Sequence, residues 1–219
     1  MKVIYLHGFA SGPKSKKAVL VQECLAREKI ACAVPDLNIP DFEHLRPSRA
    51  VDHAASLIDG PCVVVGSSLG GLMALHVAAR DERVKALVLM CPALVADERW
   101  IRRLGPDALE TWRREGTRKF YNFVTNDERP LDYGFFEDLV TIAHPAPPRV
   151  PVTLIHGQRD EVVPVGLSHE FARAHAGRVT LHLVDDDHSL LKHVDLVNEE
   201  ILRAVRRGTD PRAPSPRRP

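Results

Sequence analysis

Val63-Val64-Val65-Gly66-Ser67-Ser68-Leu69-Gly70-Gly71 runs a β-branched strand into Gly-x-Ser-x-Gly and on into Leu72-Met73-Ala74-Leu75, a segment of helical character. A serine hydroxyl is a poor nucleophile unless it is held clear of the backbone beside a base. A tight strand-to-helix turn does this by forcing the central serine into a strained conformation at the end of a sheet. Gly66 and Gly70 suit such a turn because a Cβ at either place would collide with the adjoining strand or helix. Ser67, one residue earlier, is predicted to point into the fold, which leaves Ser68 as the candidate nucleophile.

In this architecture the chain order is nucleophile, acid, base. After Ser68, the strand pattern Val152-Thr153-Leu154-Ile155 leads into His156-Gly157-Gln158-Arg159-Asp160, and Val179-Thr180-Leu181-His182-Leu183-Val184 leads into Asp185-Asp186-Asp187-His188. Asp160 and His188 therefore fall at the carboxyl ends of strands, the same sheet edge as Ser68. His188 would take the proton from Ser68, and Asp160 would hold the imidazole tautomer. Asp185, Asp186 and Asp187 are nearer to His188 in sequence, but on one short loop a carboxylate seldom reaches the far ring nitrogen. After the strand that follows the elbow the chain reads Cys91-Pro92-Ala93, with no carboxylate until Asp97. His7 and His156, each before a glycine, are expected to brace loops.

The fourth part lies at the beginning. Val3-Ile4-Tyr5-Leu6 is a short buried strand ending in His7-Gly8-Phe9-Ala10. A tetrahedral intermediate needs backbone donors, one from the residue after the serine and one from the loop after this strand. These are the amides of Leu69 and Phe9.

With these parts assembled, the chain resembles the α/β-hydrolase superfamily, and within it the small single-domain esterases of the YqiA-like group. The stretch Ile4-Tyr5-Leu6-His7-Gly8-Phe9-Ala10-Ser11-Gly12-Pro13-Lys14-Ser15 is similar to that group's HGF-x-S-S-P-x-S signature, with Gly12 in place of its second serine. The layout is also similar to that of acyl-protein thioesterases, and the resemblance covers about residues 1 to 205. It implies a compact α/β fold of about six mostly parallel strands with helices on both faces and a cap insertion. It implies a serine hydrolase acting on carboxylic esters or thioesters through an acyl-enzyme. Alternatives on the same machinery are a carbon-carbon bond hydrolase or a cofactor-free perhydrolase, and outside catalysis a binding protein on the same fold. Substrate does not follow from fold.

Composition fits one domain over residues 1–207: 219 residues, 44% hydrophobic and 27% charged, with a net charge of +1 that offers no reason to expect a nucleic-acid partner. The expected substrate is a small-molecule ester or thioester, or an acyl-protein, and the chain is expected to be a monomer or homodimer. Residues 208–219, with Arg212, Arg217 and Arg218 among prolines, read as a disordered basic tail. Cys24, Cys32, Cys62 and Cys91 have no C-x-x-C spacing and read as buried thiols in a reducing compartment, hence a cytoplasmic location. The N-terminal apolar run breaks at His7, so it reads as a core strand and not as a signal peptide or membrane span. Despite eleven histidines there is no H-E-x-x-H pattern or Cys/His run, so no metal and no cofactor are expected.

Between the strands at 85–90 and 152–155 lies an insertion, about residues 94–148, holding Trp100, Trp112, Phe120, Tyr121, Phe123, Tyr133, Phe135 and Phe136. It is predicted to cap the strand ends, with a hairpin arm near 118–125 and a helix over 133–143. Trp100 and Phe136 are the candidate acyl contacts.

Overall fold

The computed structural model describes residues 1–209; most of the tail expected over 208–219 lies outside the described residues. The elements run β1 (Lys2–Leu6), α1 (Lys16–Arg27), β2 (Cys32–Ala33), α2 (Pro47–Ser56), β3 (Cys62–Ser67), α3 (Leu69–Arg80) and β4 (Val84–Met90). The insertion follows as α4 (Ala96–Leu104), α5 (Pro106–Glu115), β5 (Thr117–Asn122), β6 (Asp127–Asp132) and α6 (Gly134–Ile142). The chain then closes with β7 (Val152–Gly157), α7 (Val165–Ala174), β8 (Val179–Val184) and α8 (Val194–Thr209).

Six strands form one sheet in the order β2-β1-β3-β4-β7-β8, and every pair in it is parallel. Parallel neighbours need a crossover, and the helices between them cover both faces. The strand period of two sorts the elbow strand accordingly. Val64 joins Ile4 and Leu6 in the core under α2 and α3, while Val63 and Val65 join Val3 and Tyr5 under α1 and α8. Every residue of β3 is buried, as its unbroken apolar run requires, whereas in β8 at the sheet edge only Val184 is buried and the rest are partly buried or exposed.

This strand order has a functional consequence. From β1 the chain goes outward to β2, then returns past β1 to β3 and proceeds the other way. Connections after β1 and β3 therefore diverge, opening a crevice beyond their carboxyl ends, which is where open parallel sheets place ligands.

The insertion stands over this edge as three helices and an antiparallel hairpin, β5 with β6. It is tied to the body by Arg46, whose guanidinium donates to both oxygens of Asp132 at 2.7 and 2.9 Å, and by Ser48, which donates to Asp138. The hairpin turn reaches the loop after β1, where the Phe123 N–H donates to the Ala10 carbonyl at 2.8 Å.

Candidate active site

Ser68 has φ 55° and ψ −119°, a left-handed conformation that costs a non-glycine residue roughly 1–3 kcal/mol. Its surroundings over-determine it. The Ser68 N–H donates to the Met90 carbonyl at 2.9 Å, and the Ser68 carbonyl accepts from Gly71 and Ala93 at 2.8 and 2.9 Å. A Cβ on Gly66 would lie 2.3 Å from the Gly70 carbonyl oxygen, and one on Gly70 would lie 2.1 Å from that of Leu6. Both glycines are thus required by backbone packing, so α3 starts hard against the end of β1. Three of the other non-glycine residues with positive φ, Ala10 (55°), Cys91 (42°) and Leu190 (53°), lie in the loops after β1, β4 and β8.

Asp160 sits in the turn after β7, its side chain fully buried. Its Oδ1 accepts the N–H groups of Val162 and Val163, both at 2.8 Å. Its Oδ2 faces two imidazoles, His188 Nδ1 at 2.7 Å and His156 Nε2 at 3.1 Å. Burial by itself would raise the carboxyl, but hydrogen bonds from His156, His188 and the Val163 amide outweigh it and hold Asp160 far below the usual carboxylate range. The bond to Asp160 puts the His188 proton on Nδ1 and leaves Nε2 as an acceptor.

The approach of these two loops depends on Gly157. A Cβ there would lie 2.5 Å from the carbonyl oxygens of Asp186 and Asp187. With the glycine, Gln158 and Arg159 donate to the Val184 and Asp186 carbonyls, which docks the Asp160 turn on the His188 loop.

The neighbouring acids are engaged elsewhere. Asp185 pairs with Arg159 at 2.6 Å, Asp186 is buried and accepts from the Lys192 N–H and from His193, and Asp187 accepts both the amide and the hydroxyl of Ser189. None of them bonds to His188 among the described residues.

Ser68 and His188 line one cavity of about 790 Å³ together with Gly8, Phe9, Phe123 and Val124. The two side chains are not hydrogen-bonded to each other. Such contacts often form only around substrate. The Phe9 and Leu69 N–H groups take no backbone acceptor among the described residues. His7 braces the loop that carries Phe9, donating from Nδ1 to the Gly8 carbonyl at 2.9 Å and accepting the Leu37 N–H on Nε2 at 3.0 Å.

Trp100 and Phe136 are not on the wall of this cavity. Trp100 packs against Phe9, Trp112, Phe120 and Phe135 at centroid distances of 5.2 to 6.0 Å, and Phe136 packs against Trp112 and Tyr133. These rings form the interior of the cap, and the apolar wall comes instead from Phe123 and Val124 at the hairpin turn. His156 braces the turn that carries Asp160, as expected of it. Fully buried, it accepts from Ser168 Oγ on Nδ1 at 2.7 Å and shares its Nε2 proton between the Val163 carbonyl and Asp160. Ligand-type atoms of Cys91, His156 and Asp160 lie within 4.8 Å of one another. The His156 and Asp160 atoms are already occupied in this hydrogen-bond network, and Cys91, distant from both in sequence, is brought beside them only by the fold.

Comparison with known proteins agrees with this architecture. The mouse mitochondrial palmitoyl-protein thioesterase ABHD10 is 32% identical over 185 residues, 74% of this chain and 59% of that protein, so the chain spans less than two thirds of the relative's length. The solved structure of mouse alpha/beta hydrolase domain-containing protein 10 superposes with a TM-score of 0.77 at 24% identity, covering 94% of this chain and 89% of that one. A 2-hydroxy-6-oxo-6-(2'-aminophenyl)hexa-2,4-dienoic acid hydrolase from Metapseudomonas resinovorans is 28% identical over 223 residues, 84% of this chain and 73% of its own. Residues 2–202 match the family described as Uncharacterised protein family (UPF0227), and with an α/β-hydrolase sheet beneath the matched residues, the chain belongs to that family.

Proposed function

We propose that this chain is a serine hydrolase of carboxylic esters or thioesters, with Ser68 as nucleophile, His188 as general base and acid, and Asp160 as the group that orients the imidazole. The observation that carries the reading is the 2.7 Å bond from His188 Nδ1 to a buried, ionised Asp160 at the cavity that also holds Ser68 on its strained turn. Ser68 Oγ attacks the acyl carbon as His188 Nε2 takes its proton. Phe9 and Leu69 donate their N–H groups to the resulting oxyanion, and His188 returns the proton to the leaving alcohol or thiol. Water then hydrolyses the acyl-Ser68 ester by the same steps. The relatives whose names include thioesterase support this class.

Residues 1–207 act as one domain with the cap at 94–148. The free thiols of Cys24, Cys32, Cys62 and Cys91 support a reducing compartment such as the cytoplasm. No described helix is long and apolar enough to cross a membrane. A carbon-carbon bond hydrolase is the second reading, favoured by the similarity to the dienoic acid hydrolase. A fluorophosphonate probe should label the wild type and fail to label Ser68→Ala. Nitrophenyl esters, acyl thioesters and a vinylogous diketone acid then assign the bond cleaved. An unlabelled wild type would refute the serine mechanism.

A further inference from the structure

Three lysines, Lys14, Lys16 and Lys17, stand on the wall of the cavity that holds Ser68, on a chain whose net charge is only +1. None of their ammonium groups has a hydrogen-bond or ion-pair partner among the described residues. Lys14 and Lys16 are exposed and Lys17 is half-buried.

Their place on the helix makes this costly. α1 begins at Lys16, its first turn contains no acid, and the hydroxyl of its N-cap residue Ser15 makes no capping bond. The start of a helix carries the positive end of the macrodipole and unsatisfied N–H groups, so it favours anions and opposes lysines. Here the three lysines and the helix end line one space together with Ser11 and Ser15.

The surrounding acids form no ion pair with the group. Asp36, on the same wall, is an ionised carboxylate that accepts from the amide and side-chain nitrogen of Asn38 at 3.0 and 2.7 Å, pairs with none of the three lysines, and as one acid leaves their charge in excess. Burial lowers Lys17, while Cys91, Asp160, Asp186 and Asp187 act in the opposite direction from a distance. Those three carboxylates bond to His188, His193 and Ser189 respectively, and none bonds to Lys17.

We propose that the Lys14–Lys17 end of α1 is an anion subsite, so that the ester or thioester cleaved at Ser68 bears a carboxylate or phosphate lying along this wall. The inference rests on the hydrolase reading and adds the substrate class to it. Lys17 is its specificity-determining residue: the half-buried ammonium is released from its desolvation cost when the anion arrives.

The test uses two matched pairs of substrates with the full-length protein. One pair, 4-nitrophenyl hydrogen glutarate and 4-nitrophenyl pentanoate, puts the charge on the acyl side. The other, S-hexanoyl phosphopantetheine and S-hexanoyl pantetheine, puts it on the leaving side. In at least one pair wild-type kcat/KM should favour the anionic member, and added salt should weaken that preference. Lys17→Met should reduce the anionic-to-neutral ratio roughly ten- to a hundredfold, the range of a hydrogen bond to a charged group, with partial recovery in Lys17→Arg. Should Lys17→Met fail to fold, Lys16→Gln at an exposed position should still lower the ratio. Hydrolysis of both neutral substrates by a probe-labelled wild type with no anion preference in either pair overturns the subsite alone, as does a preference that survives Lys17→Met and Lys16→Gln. A wild type that neither labels nor cleaves any of the four overturns the hydrolase reading and the subsite with it.

Discussion

Replacing Asp160 by Asn changes one atom's hydrogen-bonding role at the centre of the site, and the consequences can be followed atom by atom. The retained carbonyl oxygen takes over from Oδ1, accepting the amides of Val162 and Val163. The new NH₂ group then occupies the Oδ2 position, facing His188 Nδ1 and His156 Nε2. To meet a donor, His188 must accept on Nδ1 and carry its proton on Nε2, where it cannot take one from Ser68. In a serine protease the corresponding substitution lowers kcat by about 10⁴, and the same order is expected here, because Asp185, Asp186 and Asp187 are bonded elsewhere. On the other side, His156 must also accept on Nε2, so the Val163 carbonyl loses its donor, at about 1–3 kcal/mol for a buried acceptor. The assay is kcat for a nitrophenyl ester with the thermal unfolding midpoint measured alongside. A folded Asp160→Asn protein within tenfold of wild-type kcat, or an Asp187→Asn protein more impaired than it, would refute the assignment.

Ser68→Gly should abolish hydrolysis, on the order of 10⁶ in rate as for nucleophile loss in subtilisin, yet raise the melting temperature, since glycine removes the penalty of φ 55°; an unchanged or lower melting temperature would mean the elbow stores no strain. Phe123→Ala should shift the ratio of octanoyl to acetyl ester kcat/KM, because Phe123 lines the cavity and is 72% exposed at its mouth. Trp100→Ala, at a partly buried ring, should instead cost stability, up to roughly the 3 kcal/mol at the low end for a buried aromatic, and weaken all acyl lengths alike, and the two variants compared on both esters decide between wall and scaffold. Acid should act through Asp160: it is ionised in the folded state far below its unfolded value of about 3.9, so its contribution is full above that value and drains away as pH falls. Melting temperatures between about pH 6 and about pH 3 should therefore fall more steeply for wild type than for Asp160→Asn.

The parallel sheet could be read from sequence because its central strands are short apolar runs rich in β-branched residues and bounded by glycine, proline or charge, and β3, β4 and β7 fall where those runs fall. Ser68, Asp160 and His188 could be placed at strand ends for the same reason, since in a parallel sheet all carboxyl ends share an edge. What lay beyond that reasoning was contact through space. Trp100 and Phe123 are equally aromatic members of one insertion, and only the folded hairpin puts the second on the wall of the cavity that holds Ser68 and the first among the rings of the cap. The hydrogen-bonded chain from Ser168 through His156 to Asp160 joins a helix, a strand and a turn, and no periodicity marks it. β2 is shorter than its apolar run suggests, with only Cys32 and Ala33 paired to β1.

Phe9 belongs to two assemblies at once. It lines the cavity, where its amide is the proposed oxyanion donor, while its ring sits among Phe42, Trp100, Phe120 and Phe135 at 5.2 to 5.7 Å. The cap is therefore not an interchangeable module. A graft from a relative would have to bring a matching socket for this ring, or the amide beside it would lose its bearing. By the same coupling, heat that loosens the cap should silence the proposed hydrolysis while the sheet below is still intact, so inactivation should precede the loss of far-ultraviolet circular dichroism.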